Sequence, residues 1–227
     1  MGERVRLTNA SDGFVFEAYH APTADARRGG LVVLSAIWGV TPHIRKLCDG
    51  YAEDGYEVLA PSLFDRFEPG FPDADVDPPA LERRQGHVER MGRGEAALGD
   101  VQAAVAALAA PVSLMGFCVG GTIAWLAACR LEGLSAVASF YGGDVARFRH
   151  EAPLCPTQLH LGRADPLIPS QDVEAIVEAQ PELPVFLYDA GHAFVAPSGY
   201  VEDAARLSHL RTLQLFHRAS GAKGEGG

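Results

Sequence analysis

The feature that most constrains this chain is its repeated switch between short apolar runs and segments of helical period. The run Leu31-Val-Val-Leu-Ser-Ala-Ile37 is apolar on both faces of a strand, the pattern of a strand buried between two layers. Ile44, Leu47, Cys48 and Tyr51 then recur at helical spacing, with Gly55 as a stop. The alternation continues with strand Tyr56–Ala60, helix from about Gly94 to Leu108, strand Val112–Phe117, helix Val119–Arg130 and strand Val137–Tyr141. It closes with strand Gln158–Leu161, helix Asp172–Glu178, strand Val185–Tyr188 and helix Val201–His217. Such βα alternation predicts an α/β fold with a doubly wound, mostly parallel β-sheet and helices on both faces.

Ahead of the alternation, Val5–Leu7 and Phe14–Tyr19 read as strands joined by the turn Ser11-Asp12-Gly13. Pro61 to about Pro79 breaks the pattern. It is rich in Pro, Asp and Phe (Phe64, Phe67, Phe71) without a period, and is expected to be a functional loop on a substrate rim. One domain spanning residues 1–227 fits the length, with about 220–227 a flexible tail, and 48% apolar content suffices for its core.

Charge narrows the function. With 19 basic and 29 acidic residues the net charge is −10, which argues against nucleic acid as a partner and provides no polybasic patch for anionic lipid. No uncharged stretch has membrane-helix character, and the N-terminus lacks a signal-peptide core, so a cytoplasmic protein is expected. Cys48, Cys118, Cys129 and Cys155 stand 70, 11 and 26 residues apart, with no Cys-x-x-Cys pair. They are read as free thiols. His20, His43, His87, His150, His160, His209 and His217 show no paired ligand spacing, so neither a metal nor another cofactor is implied. Nothing in the pattern speaks to oligomeric state.

The strongest local motif is Gly116-Phe-Cys118-Val-Gly120-Gly121, preceded by the apolar run Val112–Met115 and followed by the helical run Thr122–Ala128. That is a nucleophile elbow, a turn so tight that only small residues fit two positions either side of the nucleophile. Gly-x-Cys-x-Gly arises by chance in such a chain with odds of roughly one in twenty. The strand before it and the helix after it therefore carry the assignment. At a helix start, Cys118 meets unpaired N–H groups and the positive dipole end, both favouring a thiolate.

Two more motifs follow strands. Gly162-Arg-Ala-Asp165 offers an acid, and Ala190-Gly-His192-Ala-Phe194 a histidine. The order nucleophile, acid, histidine is that of the α/β-hydrolases, and all three would converge at the carboxyl edge of a parallel sheet. Val119 N–H, after the nucleophile, and Ile37 N–H, in the Ile37-Trp38-Gly39-Val40 segment after an earlier strand, are the candidate oxyanion-hole donors. Trp38, Phe64, Tyr141 and Phe194 are candidate pocket walls.

On these pieces, with Ser198-Gly199-Tyr200, the chain resembles the dienelactone hydrolase family from end to end. The resemblance implies a Cys–His–Asp triad of Cys118, His192 and Asp165 on a small eight-stranded core, acting on a small ester or lactone. Two departures stand out. The family commonly carries a glutamate just before the residue matching Ile37, where this chain has Ala36. Family members acting on the diene lactone also hold its carboxylate with arginines, one soon after the histidine, where this chain has Ala193-Phe-Val-Ala196-Pro. Arg83 and Arg84 lie near the other expected position, although Glu82 falls closer in ungapped register. These departures keep a rival reading open: a non-hydrolytic cysteine protein, a redox sensor or ligand-binding relative without turnover. Flavodoxin-like cysteine enzymes share a Gly-x-Cys elbow, but Asp165 and His192 in order argue against them.

Overall fold

The computed structural model describes residues 2–23 and 26–221. Among these residues eight strands form one sheet: β1 (Glu3–Thr8), β2 (Val15–Ala21), β3 (Gly29–Leu34), β4 (Tyr56–Pro61), β5 (Val112–Phe117), β6 (Leu134–Phe140), β7 (Thr157–Gly162) and β8 (Val185–Tyr188). Their order is β1-β2-β4-β3-β5-β6-β7-β8. β1 pairs with β2, and β2 with β4, in antiparallel register, and the chain from β4 to β8 is parallel throughout. The expected hairpin is present: Asn9 N–H donates to Phe14 O at 2.8 Å, Gly13 N–H to Asn9 O at 2.8 Å, and Gly13 takes φ +74°.

Among the described residues, six α-helices flank the sheet: α1 (Pro42–Glu53), α2 (Leu81–Arg90), α3 (Leu98–Ala106), α4 (Val119–Arg130), α5 (Ser170–Ala179) and α6 (Glu202–Ala219). The alternation of side chains along β3 divides the core. Leu31 and Val33 pack with Ile44, Cys48 and Tyr51 of α1 and Leu215 and Phe216 of α6, while Val32 and Leu34 pack with Val101 and Val105 of α3 and Ile123 and Ala127 of α4. All six residues of β3 are buried, as a strand covered on both faces requires.

Three sequence expectations change. α2 has no apolar stripe, since its buried residues are Arg84 and His87, and hydrophobic periodicity therefore passes over it. The helix expected from Gly94 begins at Leu98. Arg93 at φ +58° and Gly94 at φ +114° leave only 3-10 turns over Gly92–Ala97, and a Cβ on Gly94 would collide with the Ile123 side chain. Pro61–Pro79 is not wholly irregular. Pro61 ends β4, a 3-10 turn spans Pro78–Ala80, and Leu63, Phe64 and Phe71 are buried. Of the tail, Ser220 and Gly221 are described and close α6, where Ser220 N–H donates to Phe216 O at 2.9 Å. The rest of it, 222–227, lies outside the described residues.

Among the described residues, no helix is long and apolar enough to cross a membrane. No group of three or more His, Cys, Asp or Glu side chains among them is arranged to hold a metal ion.

Candidate active site

The parallel strands bring five loops to one edge. Ile37 follows β3, Cys118 follows β5, Tyr141 follows β6, Asp165 follows β7 and His192 follows β8, and these strands are consecutive neighbours in the sheet. A ligand at the carboxyl end of such a sheet meets all five loops.

The elbow owes its shape to its glycines. A Cβ on Gly116 would meet the Gly120 carbonyl oxygen, and one on Gly120 would sit 2.5 Å from the carbonyl oxygens of Leu34 and Ser35. With no side chains in the way, the chain turns within one residue, and Cys118 takes φ +57°, ψ −120°. Its N–H donates to Phe140 O at 3.0 Å, and its carbonyl accepts from Gly121 N–H at 2.8 Å. Val119 is the first residue of α4, so its N–H has no acceptor within the helix.

His192 Nδ1 meets Asp165 Oδ2 at 2.7 Å, and Asp165 Oδ1 accepts the Leu167 N–H at 2.8 Å. The Asp165 side chain is fully covered. Nε2 of His192 is buried without a hydrogen-bond partner of good geometry. Burial, the largest influence on this imidazole, lowers its pKa, but Asp165 and Cys118 together overcome it and raise the value to about 9. The Tyr141 ring lies against the imidazole, centroids 4.9 Å apart, at 59°. Burial, and then the nearby Cys118 and Asp165, push the Tyr141 hydroxyl well above its ordinary pKa.

Cys118 and His192 share a cavity of about 230 Å³ with Ala36, Ile37, Trp38, Phe117, Tyr141 and Leu167. Sequence reading missed several of its other walls: His43, Asp75, Val76, Leu81 and Gln85. A partial signal existed for His43. Thr41-Pro42 is a helix start, with the Thr41 hydroxyl accepting Ile44 N–H at 3.3 Å, and it puts His43 in the first turn of α1 beside the Ile37–Gly39 loop. Asp75 and Val76 bring the long loop to the wall of this cavity.

Four expected pocket residues stand elsewhere. Phe64 is 2% exposed in the core and lies beneath Arg84, whose guanidinium carbon is 5.7 Å from its ring centroid. Phe194 is wholly buried against Tyr141 and Tyr188 at 5.3 and 5.1 Å, so it anchors the His192 loop from below. Arg83 projects to solvent and pairs with Glu68 at 3.0 Å. Arg84 donates to the Ile37 carbonyl at 3.2 Å and faces Glu68 at 3.5 Å. The face of α2 that reaches the cavity is that of Leu81 and Gln85, one turn apart.

Among the described residues, four non-glycine residues have positive φ, and three of them belong to these loops: Cys118, Tyr141 at +38° and Ala193 at +60°. Backbone strain that concentrates in this way marks functional sites.

The profile of the Dienelactone hydrolase family matches residues 16–220. The chain belongs to that family. A carboxymethylenebutenolidase of Pseudomonas putida is 31% identical over 222 residues, covering 90% of this chain and 92% of that protein. One from Pseudomonas sp. strain P51 is 28% identical over 224 residues, covering 92% and 93%. A Klebsiella pneumoniae crystal structure, provisionally assigned as a dienelactone hydrolase, superposes with TM-score 0.79 at 27% identity, over 96% of this chain and 99% of that one. The fold also matches a dienelactone hydrolase-like promiscuous phosphotriesterase from metagenomic libraries, with TM-score 0.73 at 20% identity over 96% and 98%. This chain is a dienelactone hydrolase-like hydrolase of the α/β-hydrolase fold.

Proposed function

We propose that the protein cleaves a small ester or lactone through Cys118, with His192 and Asp165 completing a triad and an acyl-thioester as intermediate. The observation that carries the reading is the convergence of a strained elbow cysteine and an Asp165-bound His192 on one apolar cavity.

Cys118 passes its proton to His192, which Asp165 holds through Nδ1 so that Nε2 faces the chemistry. The thiolate sulfur bonds to the substrate carbonyl carbon, and the carbonyl oxygen becomes an oxyanion near the N–H groups of Ile37 and Val119. One such donor is worth about 3–4 kcal/mol in comparable sites. The C–O bond then breaks as His192 returns its proton to the departing alkoxide, which in a lactone stays tethered to the acyl group. Water next attacks the thioester, His192 takes its proton, and the C–S bond breaks to release the acid and restore Cys118. With Ala36 beside the cysteine, His192 is its direct ionic partner. The raised His192 pKa fits an imidazolium that holds its proton until the leaving group needs it.

Steady-state hydrolysis of a small alkyl ester tests this. Cys118→Ala and His192→Ala each lower kcat by about a thousandfold or more while the folded far-UV spectrum is kept. Either variant retaining wild-type turnover would remove the proposal.

A further inference from the structure

We propose that the enzyme takes acyl groups that carry no negative charge: its cavity is built for compact, uncharged esters or lactones and discriminates against those bearing a carboxylate. The inference rests on the hydrolase reading above and adds the class of substrate.

Among the described residues, no Arg or Lys side chain lines the cavity. The nearest arginines are committed elsewhere. Arg84 is held by Ile37 O and Glu68, Arg83 by Glu68, and Arg45 by the carbonyls of Val40 and Pro72 at 2.9 and 3.3 Å. The positive group in the wall, the His192 imidazolium, is already matched by the covered Asp165 carboxylate. His43 has its pKa held below the ordinary value by burial and by the nearby Lys46, against the pull of Asp75.

The opposite sign is present. Asp75 lines the cavity, half-buried, and its Oδ1 accepts the His43 N–H at 2.7 Å. An adjoining hollow of about 340 Å³ shares Trp38 and Val76 with the cavity and adds Glu68, the exposed Asp73 and Asp77, and Arg84, whose guanidinium is already held by Glu68 and the Ile37 carbonyl. A substrate carboxylate would thus shed its water into apolar walls, find no Arg or Lys in the wall and face Asp75, a cost that a neutral amide or ester group does not incur. Thr41, Gln85 and Ser198 remain to bond neutral polar groups.

The test is a matched pair, the 4-nitrophenyl esters of adipamic acid and of adipic acid. They share length and leaving group, and differ in a terminal carboxamide against a terminal carboxylate. kcat/KM for each, normalised to its spontaneous hydrolysis, is measured on wild type, Asp75→Asn and Gln85→Arg. The proposal predicts that wild type prefers the carboxamide by about tenfold or more. Asp75→Asn narrows the ratio, and Gln85→Arg, which puts a cation on the cavity wall, narrows it further or inverts it. A wild-type enzyme that cleaves both equally, or prefers the carboxylate, overturns the substrate class and leaves the hydrolase reading intact. A preference that neither variant changes arises outside this cavity and overturns the assignment equally. If neither ester is cleaved and Cys118 gains no acyl mass, the hydrolase reading and this inference fall together.

Discussion

At the residue scale the decisive interaction is the contact of His192 Nδ1 with Asp165 Oδ2, 2.7 Å long and closed off from solvent on the carboxylate side. Its consequence for pH follows from the His192 pKa, raised from the ordinary 6.5 to about 9. The folded state holds this proton more tightly than the unfolded chain. The resulting stabilisation is fully present below about pH 6.5 and is lost as pH rises through about 9. Asp165→Asn removes the partner, so the His192 titration, followed by NMR, moves downward and kcat falls by several orders of magnitude, ~10⁴-fold in a comparable triad. The difference in Tm between wild type and Asp165→Asn then shrinks from pH 6.5 to pH 9.5. A difference that grows over that range contradicts the assignment. Cys118, Asp165 and His192 were legible in the sequence because each sits in a short motif whose glycines answer to local backbone needs. Phe64 and Phe194 misled because an aromatic residue next to a motif looks the same whether it faces a cavity or the core. Only tertiary direction separates the two.

At the element scale, α4 carries the site. It is buried over Val119–Ala128, and the Trp125 indole N–H donates to Phe148 O at 3.1 Å, tying it to the turn after β6. The close pass of Gly120 under the Leu34 and Ser35 carbonyls sets the distance between the elbow and the Ile37 loop. Gly120→Ala forces backbone against backbone, where no side chain can swing away. The expected cost is about 3 kcal/mol, read from the urea midpoint, with loss of activity beyond that due to unfolding. A variant of native stability and activity would show that the pass is not tight. The strands and α1, α4, α5 and α6 could be read ahead because continuous apolar runs or a helical apolar spacing set them apart. α2 could not, since it buries Arg84 and His87 rather than a hydrophobic stripe, and it is α2 that brings Leu81 and Gln85 to the cavity. Of the five unread walls, Leu81 and Gln85 thus come from the unread helix, Asp75 and Val76 from the long loop and His43 from α1.

At the scale of the whole molecule, a polar network joins segments far apart in sequence. Asp100, 1% exposed on α3, accepts Asn9 Nδ2 at 2.7 Å and Arg66 through Nε and Nη2 at 3.0 and 2.7 Å, while Arg66 also reaches Asp12 at 2.7 Å. It locks the β1–β2 turn and the start of the long loop onto α3, and so fixes the base from which Asp75 and Val76 reach the cavity. Arg66→Ala strands the Asp100 carboxylate in the interior. The expected loss is about 3 kcal/mol, or a fall in Tm of about 6–12 °C for a chain of this size. Thermal unfolding of Arg66→Ala beside Asp100→Asn checks it, since the second variant removes the buried charge along with its pairing and should lose less. Equal losses would mean that the charge itself costs nothing. None of this network has a sequence signature, because its members are brought together by the sheet order.

The central claim is that Cys118 is the nucleophile. Protein mixed with a small activated ester, quenched early in turnover and read by intact mass with peptide mapping, tests it most directly. The account predicts a mass gain of one acyl group on Cys118 that decays as substrate is exhausted and is absent from Cys118→Ala. Turnover at the wild-type rate with no acyl group on Cys118, or with the same rate in Cys118→Ala, would contradict it. An acyl group that forms and never leaves would contradict the hydrolytic half of the claim and make the protein a cysteine acceptor without turnover.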